Sequence, residues 1–261
     1  MQALVAAVAL TDSRAMKRLF SFAVPFLATV LLTCGGVRAE RAVTVFAAAS
    51  LGGALEEIAR GYGVPVVFAY GGSGAMARQV AAGAPADLVV LANPQWMAWL
   101  EEQGSIAAGS AVVVTGNTLV LIAAKGAPAV SDISALPDLL AGARLAMGQR
   151  DAVPAGTYAR QWLDHAGLWQ AIAPHLAETD NVRAALALVA RGDAPYGVVY
   201  GSDAQAEPAV EVVYDVPENS HDAILYPAAA LTPEGAAFLA RLVSAEAAAV
   251  FAAHGFKRPV E

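Results

Sequence analysis

Short apolar runs along the chain alternate with longer runs in which apolar residues recur at helical spacing. Val43–Ala48 is apolar except for one threonine, which is typical of a strand buried on both faces. Leu51–Arg60 follows with one apolar face, and the same pair of patterns repeats over residues 64–82 and 87–103. This β-α-β-α-β-α order predicts a parallel sheet covered by helices.

The second half of the chain continues this alternation without a repeat or a long linker. Predicted strands lie at 119–124, 144–147, 197–200, 210–214 and 223–229, and predicted helices at 158–166, 182–191, 233–243 and 245–254. Two α/β halves without a linker predict two lobes that share strands across a hinge. We expect lobe 1 to comprise residues 40–118 plus 226–261, and lobe 2 to comprise residues 119–225.

The first 39 residues have the pattern of a secretory signal peptide. A basic start at 16–18 is followed by uncharged residues 19–33 and by Val37-Arg38-Ala39, which resembles an A-x-A cleavage site. The uncharged stretch is shorter than the roughly 20 residues of a membrane span. We therefore predict cleavage after Ala39 and export to the periplasm, with Met16 as an alternative start.

Composition and charge narrow the class of protein. The chain is 57% apolar and 15% charged, and its net charge is −7, which becomes −10 once residues 1–39 are removed. An acidic chain without a Lys/Arg cluster is not expected to bind nucleic acid. The single cysteine, Cys34, excludes an internal disulfide and a cysteine zinc cluster. Because residues 31–34 loosely resemble a lipoprotein box, a lipid anchor at Cys34 remains an alternative to soluble export.

Four turns that lead into predicted helices carry the candidate chemistry. Ser50 and Ser73 follow predicted strands among small neighbours, and the turns at 153–156 and 180–181 introduce two further helices. Helix N-termini offer unpaired N–H groups and the positive end of a dipole, so several together form an anion site without charged side chains. The competing interpretation is that each serine only caps its own helix, and Ser50 in particular occupies an expected N-cap position.

These turns belong to a set of motifs that runs from Val43 to Phe256. The set resembles the periplasmic molybdate-binding proteins of ABC transporters. The motifs are V-T-V-F-A-A-A-S-L at 43–51, G-S-G at 72–74, V-P-A-G at 153–156, N-V-R-A-A-L at 181–186 and G-V-V-Y-G-S-D at 197–203.

The resemblance implies a two-lobed α/β periplasmic binding protein of type II. Each lobe would be a mostly parallel sheet flanked by helices, and the ligand would lie in the cleft between the lobes. The implied function is to capture molybdate, and tungstate with it, and to deliver it to the membrane permease of an ABC importer. The protein would be a monomer without enzymatic activity or cofactor.

The resemblance also implies which residues bind the oxyanion. Ser50 and Ser73 would donate hydroxyl and backbone N–H groups, Ala155 and Val182 backbone N–H groups, and Tyr200 its phenol O–H. Asn181 stands where the family motif has an acidic residue, a change that a backbone donor at Val182 should tolerate.

The chemistry of molybdate suits such a site. Molybdate is a fully ionised tetrahedral dianion that only accepts hydrogen bonds, whereas protonated phosphate also needs an acceptor. Molybdenum would therefore bind only as the oxyanion, because the sequence has no histidine spacing typical of a metal-cation site. The residues do not separate molybdate from tungstate, and rejection of sulfate depends on the size of the cavity.

Two enzyme classes compete with this interpretation. Residues 72–77 match the dinucleotide pattern G-x-G-x-x-A, but the acidic residue expected at the end of the next strand is absent. Residues 71–75 fail the G-x-S-x-G pattern of serine hydrolases at the last position, and none of the four histidines has a motif around it. Because both enzyme patterns are incomplete, the sequence favours a binding protein.

Overall fold

The computed structural model describes residues 41–258, so the predicted signal peptide and Cys34 lie outside the described residues. These residues contain two five-stranded sheets. The strands are β1 Val43–Ala48, β2 Val66–Gly71, β3 Leu88–Val90, β4 Val112–Gly116, β5 Leu119–Ala124, β6 Leu145–Gly148, β7 Leu176–Thr179, β8 Tyr196–Tyr200, β9 Val210–Asp215 and β10 Leu225–Ala230.

Helices cover both sheets. They are α1 Gly52–Ala59, α2 Ser73–Ala81, α3 Pro94–Glu102, α4 Leu136–Leu140, α5 Pro154–His165, α6 Trp169–Ile172, α7 Val182–Ala190, α8 Gly201–Ala206, α9 Pro233–Leu242 and α10 Ala245–Ala253. Short 3₁₀ turns lie at Ala49–Leu51, Ile133–Ala135, Ala173–His175 and Glu218–Ser220.

The first sheet has the strand order β2-β1-β3-β10-β4. β1 pairs in parallel with β2 and β3, as the alternating pattern predicts, whereas β10 is antiparallel to both of its neighbours. The second sheet repeats this plan in the order β7-β6-β8-β5-β9, with β5 as the antiparallel strand. Both sheets are therefore mixed, each with one strand running against the other four.

The chain passes between the two sheets at two places. It leaves the first sheet at residues 117–118, between β4 and β5, and returns at residues 216–224, between β9 and β10. The first sheet is thus built from 43–116 together with 225–230, and the second from 119–215. The predicted lobe boundary at 118/119 falls at the first crossing, whereas the one at 225/226 falls one residue inside β10. The division into two lobes that move as rigid units stays a prediction.

Apolar burial explains why the central strands form. Leu88, Val89 and Val90 of β3 are each fully buried, so both faces of this strand are covered. One cluster on the outer face of the first sheet joins Met76 of α2 with Met97 of α3. A larger cluster continues through the inner face of the first sheet and the second sheet. The two sheets therefore share one continuous core.

Candidate functional site

All five sequence-predicted site residues line one small cavity. The cavity has a volume of about 10 Å³, which limits it to a small ligand. It is lined by Ala48, Ala49, Ser50, Gly71, Gly72, Ser73, Ala92, Val153, Pro154, Ala155, Asn181, Val182 and Tyr200. Within residues 41–258, none of these lining residues carries a formal charge, so any polarity comes from hydroxyl and backbone groups.

Three helices begin at the cavity wall. Ser73 is the first residue of α2 and Val182 the first of α7, while Ala155 follows Pro154 at the start of α5. The first N–H groups of a helix have no intrahelical acceptor, and a proline has no N–H at all. Ala155 therefore presents the first amide of α5, and the positive dipole ends of three helices meet at one point.

Asn181 caps α7 without competing for the Val182 amide. Its side-chain oxygen accepts a hydrogen bond of 3.0 Å from the N–H of Ala184. Asparagine is among the favoured N-cap residues, so it can replace an acidic residue here. Val182 itself lines the cavity as the first residue of α7.

The prediction that Ser50 is a helix N-cap is wrong. The helical turn after β1 begins with Ala48 as its cap residue, and no side chain caps this turn or α1. The Ser50 hydroxyl instead lies 3.0 Å from the hydroxyl of Tyr226, a residue 176 positions away. Ser50 lies inside this turn and not at its cap position, so its hydroxyl makes a tertiary contact instead of a local capping bond.

Ser73 does not cap its helix either. It is the first residue of α2, whose cap is Gly72, and its Oγ accepts a hydrogen bond of 2.9 Å from the N–H of Ala92. The oxygen is therefore used as an acceptor, and the hydroxyl proton remains available to a ligand. A serine hydroxyl with its proton free suits a site that must donate hydrogen bonds.

Tyr200 brings a buried hydroxyl to the same place. Its side chain is 1% exposed, and its hydroxyl has no hydrogen-bond partner within residues 41–258. Burial, together with the nearby phenols and the Asp203 carboxylate, raises the pKa of Tyr200 well above its ordinary value, so the group remains a protonated donor. A buried hydroxyl without a partner costs free energy, which an accepting ligand at the cavity would recover.

Charged groups stand behind the cavity rather than in its lining. Arg183 Nε lies 2.6 Å from Asp203 Oδ1, and the other carboxylate oxygen accepts from the N–H of Tyr200. Burial raises the pKa of Asp203 to about 6, although the Arg183 guanidinium acts in the opposite direction. Arg183 also donates to the carbonyl oxygen of Ser50 at 3.4 Å, so it reaches across to the first sheet's side of the cavity.

The two sides of the cavity touch through backbone groups. A Cβ added to Gly72 would lie 2.3 Å from the carbonyl oxygen of Asp180, and one added to Gly74 would lie 2.6 Å from that of Ala152. The amide of Gly74 and the indole N–H of Trp96 both donate to this Ala152 oxygen, at 3.2 and 3.1 Å. Glycine is required at both positions because any side chain would separate the walls.

Sequence reasoning missed two polar residues behind Ser50. Asn117 lies at the first crossing between the sheets and Tyr226 near the start of β10, and their side chains are hydrogen-bonded at 3.1 Å. Asn117 lies in a Gly-Asn-Thr turn between two apolar runs, so the sequence indicates only a turn there. For Tyr226, no local signal indicates that its hydroxyl reaches Ser50.

Residues 41–258 contain no group of three or more His, Cys, Asp or Glu side chains placed to hold a metal ion. In the same range, no single helix is long and apolar enough to cross a membrane; α9 and α10 reach that length and composition only as a pair bent by 64°.

The paired mixed sheets and the donor-lined cavity between them define a solute-binding protein. The sequence model for bacterial extracellular solute-binding proteins matches residues 43–257, and the chain belongs to this family. It is therefore a binding protein and not an enzyme, which removes the nucleotide-enzyme and hydrolase alternatives.

Individual relatives agree with this assignment. The chain is 40% identical to the molybdate-binding protein ModA of Escherichia coli K12, over 83% of this chain and 89% of that protein. It is 38% identical to the ModA of Haemophilus influenzae, over 88% and 96%. The periplasmic molybdate-binding protein of Azotobacter vinelandii superposes with a TM-score of 0.72 at 26% identity, covering 84% of this chain and all of the other. These findings confirm the family resemblance of the motifs.

Proposed function

We propose that this chain binds one molybdate ion in the cavity and delivers it to the membrane permease of an ABC importer. The observation that carries the proposal is the convergence of five donor positions on one small cavity without a lining carboxylate. Two relatives at about 40% identity that are named molybdate-binding proteins support the choice of ligand. The protein works as a monomer in the periplasm after cleavage behind Ala39.

In the proposed complex, each of the five residues donates one or two hydrogen bonds to the ligand. Ser50 and Ser73 donate through hydroxyl and backbone N–H groups, Ala155 and Val182 through backbone N–H groups, and Tyr200 through its phenol. These groups give seven hydrogen bonds to a dianion. Hydrogen bonds to a charged group contribute about 1.5–3 kcal/mol each, before the costs of association and ordering are subtracted.

Tungstate is the second proposed ligand, because it shares the charge and tetrahedral geometry of molybdate and differs little in size. The cavity's small volume disfavours esters and sugars that carry a phosphate. Hydrogen phosphate needs an acceptor for its proton, and the lining offers hydroxyl and N–H donors instead. The site therefore favours a fully deprotonated inorganic oxyanion.

The two sides of the cavity act in this proposal as the two predicted lobes, residues 40–118 plus 226–261 and residues 119–225. The ligand binds to an open form, and the lobes then close through the contacts at Gly72, Gly74 and Trp96. The crossings at 117–118 and 216–224 are the hinge of this motion. A ligand held from both sides stabilises the closed form by the difference in its affinity for the two forms.

Calorimetric titration of the chain from Glu40 onward tests this function. We expect one site per chain, with molybdate and tungstate bound far more tightly than sulfate and phosphate. Equal affinities for sulfate and molybdate would contradict the proposal. Small-angle scattering with and without molybdate tests the closure, because the radius of gyration should fall on binding.

A further inference from the structure

A chain of buried hydrogen bonds leads from the first crossing to Ser50. Asn117 Nδ2 lies 3.1 Å from Tyr226 Oη, which in turn lies 3.0 Å from Ser50 Oγ. All three side chains are buried, and neither Asn117 nor Tyr226 lines the cavity. The direction in which the protons point along this chain decides what Ser50 can offer to a ligand.

The surroundings of Asn117 fix the orientation of its side-chain amide. Its Oδ1 accepts from the backbone N–H of Thr118 at 3.0 Å and from that of Ser202 at 3.4 Å. Because two backbone donors face this atom, it is the oxygen, and the opposite atom is the nitrogen. The two hydrogens of Nδ2 then go to Ser202 Oγ at 2.8 Å and to Tyr226 Oη at 3.1 Å.

This orientation sets the direction of the next bond. Tyr226 Oη accepts from Asn117, so its own proton is free to be donated to Ser50 Oγ. Burial and the nearby Asp203 carboxylate raise the pKa of Tyr226 well above its ordinary value, so the phenol keeps that proton. Ser50 Oγ accepts the proton, and the hydroxyl hydrogen of Ser50 is left to point into the cavity.

We propose that Asn117 and Tyr226 are positioning residues that hold the Ser50 hydroxyl as a donor toward the bound oxyanion. The inference rests on the proposed function and deepens it. A serine hydroxyl ordinarily rotates between donating and accepting. Here its accepting side faces Tyr226, so the hydroxyl is set for a ligand before the ligand arrives.

The same arrangement gives the site selectivity against protonated anions. The oxygen of Ser73 is already an acceptor for the Ala92 amide, and the oxygen of Ser50 for Tyr226. Each serine oxygen therefore has one of its two acceptor positions already occupied, which leaves both serines less able to accept a hydrogen bond from hydrogen phosphate. Selectivity for a fully deprotonated oxyanion thus depends in part on two residues that never touch it.

Two substitutions change this chain of hydrogen bonds in different ways. Tyr226→Phe removes the donor to Ser50 and keeps the ring, so the serine becomes free to rotate. Asn117→Asp keeps the acceptor for Thr118 and Ser202 but replaces the donating nitrogen by an accepting oxygen. Tyr226 then donates to the carboxylate, Ser50 donates to Tyr226, and the serine proton turns away from the cavity.

A double-mutant cycle with Ser50→Ala distinguishes positioning from packing. We expect Tyr226→Phe to weaken molybdate binding at least threefold and Asn117→Asp at least tenfold, measured by calorimetry at pH 7.5. In the Ser50→Ala background, the loss from Tyr226→Phe should fall below twofold. The loss of affinity from Asn117→Asp should also be smaller in that background. The part that remains should come only from repulsion between the added negative charge and the ligand. Both single variants should also lower the ratio of molybdate affinity to phosphate affinity.

Tyr214→Phe is the matched control, because Tyr214 is a half-buried tyrosine on β9 that stacks on Trp162 away from the cavity. It should leave both affinities within twofold of the unmodified protein. If the losses from Tyr226→Phe and Ser50→Ala simply add, or if the phosphate ratio does not change, the positioning role is wrong while molybdate binding stands. An unmodified protein that binds none of the four oxyanions would overturn the proposed function and this inference with it. If one variant fails to fold, the other carries the same test.

Discussion

Trp96 donates its indole N–H to the carbonyl oxygen of Ala152 at 3.1 Å, and this bond joins α3 beside the first sheet to the loop before α5. The two residues belong to opposite sides of the cavity. In the proposed closure of the two lobes, this bond exists only when the two sides are together, and it would stabilise the closed form.

Replacement of Trp96 by phenylalanine should therefore weaken molybdate binding. A smaller aromatic ring remains, but the cross-cavity hydrogen bond is lost, at a cost of about 0.5–1.5 kcal/mol, or up to about tenfold in Kd. Calorimetry measures the change. Trp169→Phe is the control, because Trp169 packs under Arg150 and Arg160 and does not line the cavity. Equal losses in both variants would show that the effect is not specific to the bond.

Removal of each hydroxyl donor should reduce affinity without blocking folding. Ser50→Ala, Ser73→Ala and Tyr200→Phe should each weaken molybdate binding by about 1.5–3 kcal/mol, the range for hydrogen bonds to charge. Val182→Ala should have little effect, since its amide remains. Unchanged affinity in all three hydroxyl variants would mean that the ligand binds elsewhere.

The same variants should differ in the stability of the ligand-free protein. Ser73→Ala leaves the buried Ala92 amide without its acceptor and should lower Tm. Tyr200→Phe removes a buried hydroxyl that has no partner within the described residues, so Tm should stay the same or rise. Thermal unfolding without ligand measures both. A fall in Tm for Tyr200→Phe as large as that for Ser73→Ala would contradict this assignment.

Substitution of Gly72 by alanine should abolish tight binding. The added Cβ would lie 2.3 Å from the carbonyl oxygen of Asp180 on the opposite wall, so the cavity could not close. We expect Kd to rise at least a hundredfold, while the open form still folds. Gly61→Ala is the control, because its Cβ would meet only the Arg241 side chain at 3.9 Å. Near-normal affinity in Gly72→Ala would show that closure does not bring these walls together.

Asp203 should make stability depend on pH in a direction opposite to that of an ordinary ion pair. Its pKa is about 6 in the folded chain against 3.8 as the ordinary value, because burial outweighs Arg183, while the phenols of Tyr200 and Tyr226 lie nearby. The folded state holds the extra proton between these values, so this group's contribution is present below about pH 4 and is lost as pH rises to 6.

The difference in unfolding free energy between the unmodified protein and Asp203→Asn isolates this effect. We expect the difference to fall as pH rises from 4 to 6, at up to about 1.4 kcal/mol per unit of pKa shift. Denaturant unfolding at several pH values measures it. A difference that rises over this range would show that Arg183 dominates and that the folded pKa is lowered.

The association rate should show no electrostatic steering toward the cavity. The chain without residues 1–39 carries −10 and the ligand −2, so long-range forces oppose encounter and salt screens them. Stopped-flow fluorescence in increasing chloride should give a constant or modestly rising rate. A steep fall would instead indicate a positive field from Arg78 or Arg183.

The sequence pattern predicted most of the first sheet and of the cavity wall. The bounds of β1 and β5 match the predicted strands, because unbroken apolar runs at these places end in turns. Strands β4 and β7 were missed, as were the short helices α4, α6 and α8. The start of α5 lies at Pro154 instead of Tyr158, because proline and alanine form its first turn without an apolar stripe. The five donor positions came from motifs, and each motif is local.

What the sequence did not predict depends on contacts between distant residues. The partner of the Ser50 hydroxyl lies 176 positions away, and no local signal indicates which face of β10 carries it. The antiparallel direction of β10 and β5 was missed for the same reason. Each of these strands enters its sheet from the other half of the molecule.

The place of β10 between β3 and β4 has a consequence for the order in which the molecule can assemble. Until residues 225–230 have been synthesised, β4 has no neighbour in the first sheet and β3 is an exposed edge. The first sheet therefore stays unfinished while most of the chain is made, with long-range pairings that form late and slowly. That delay suits the export proposed for this chain, because the last strand to emerge completes the first sheet.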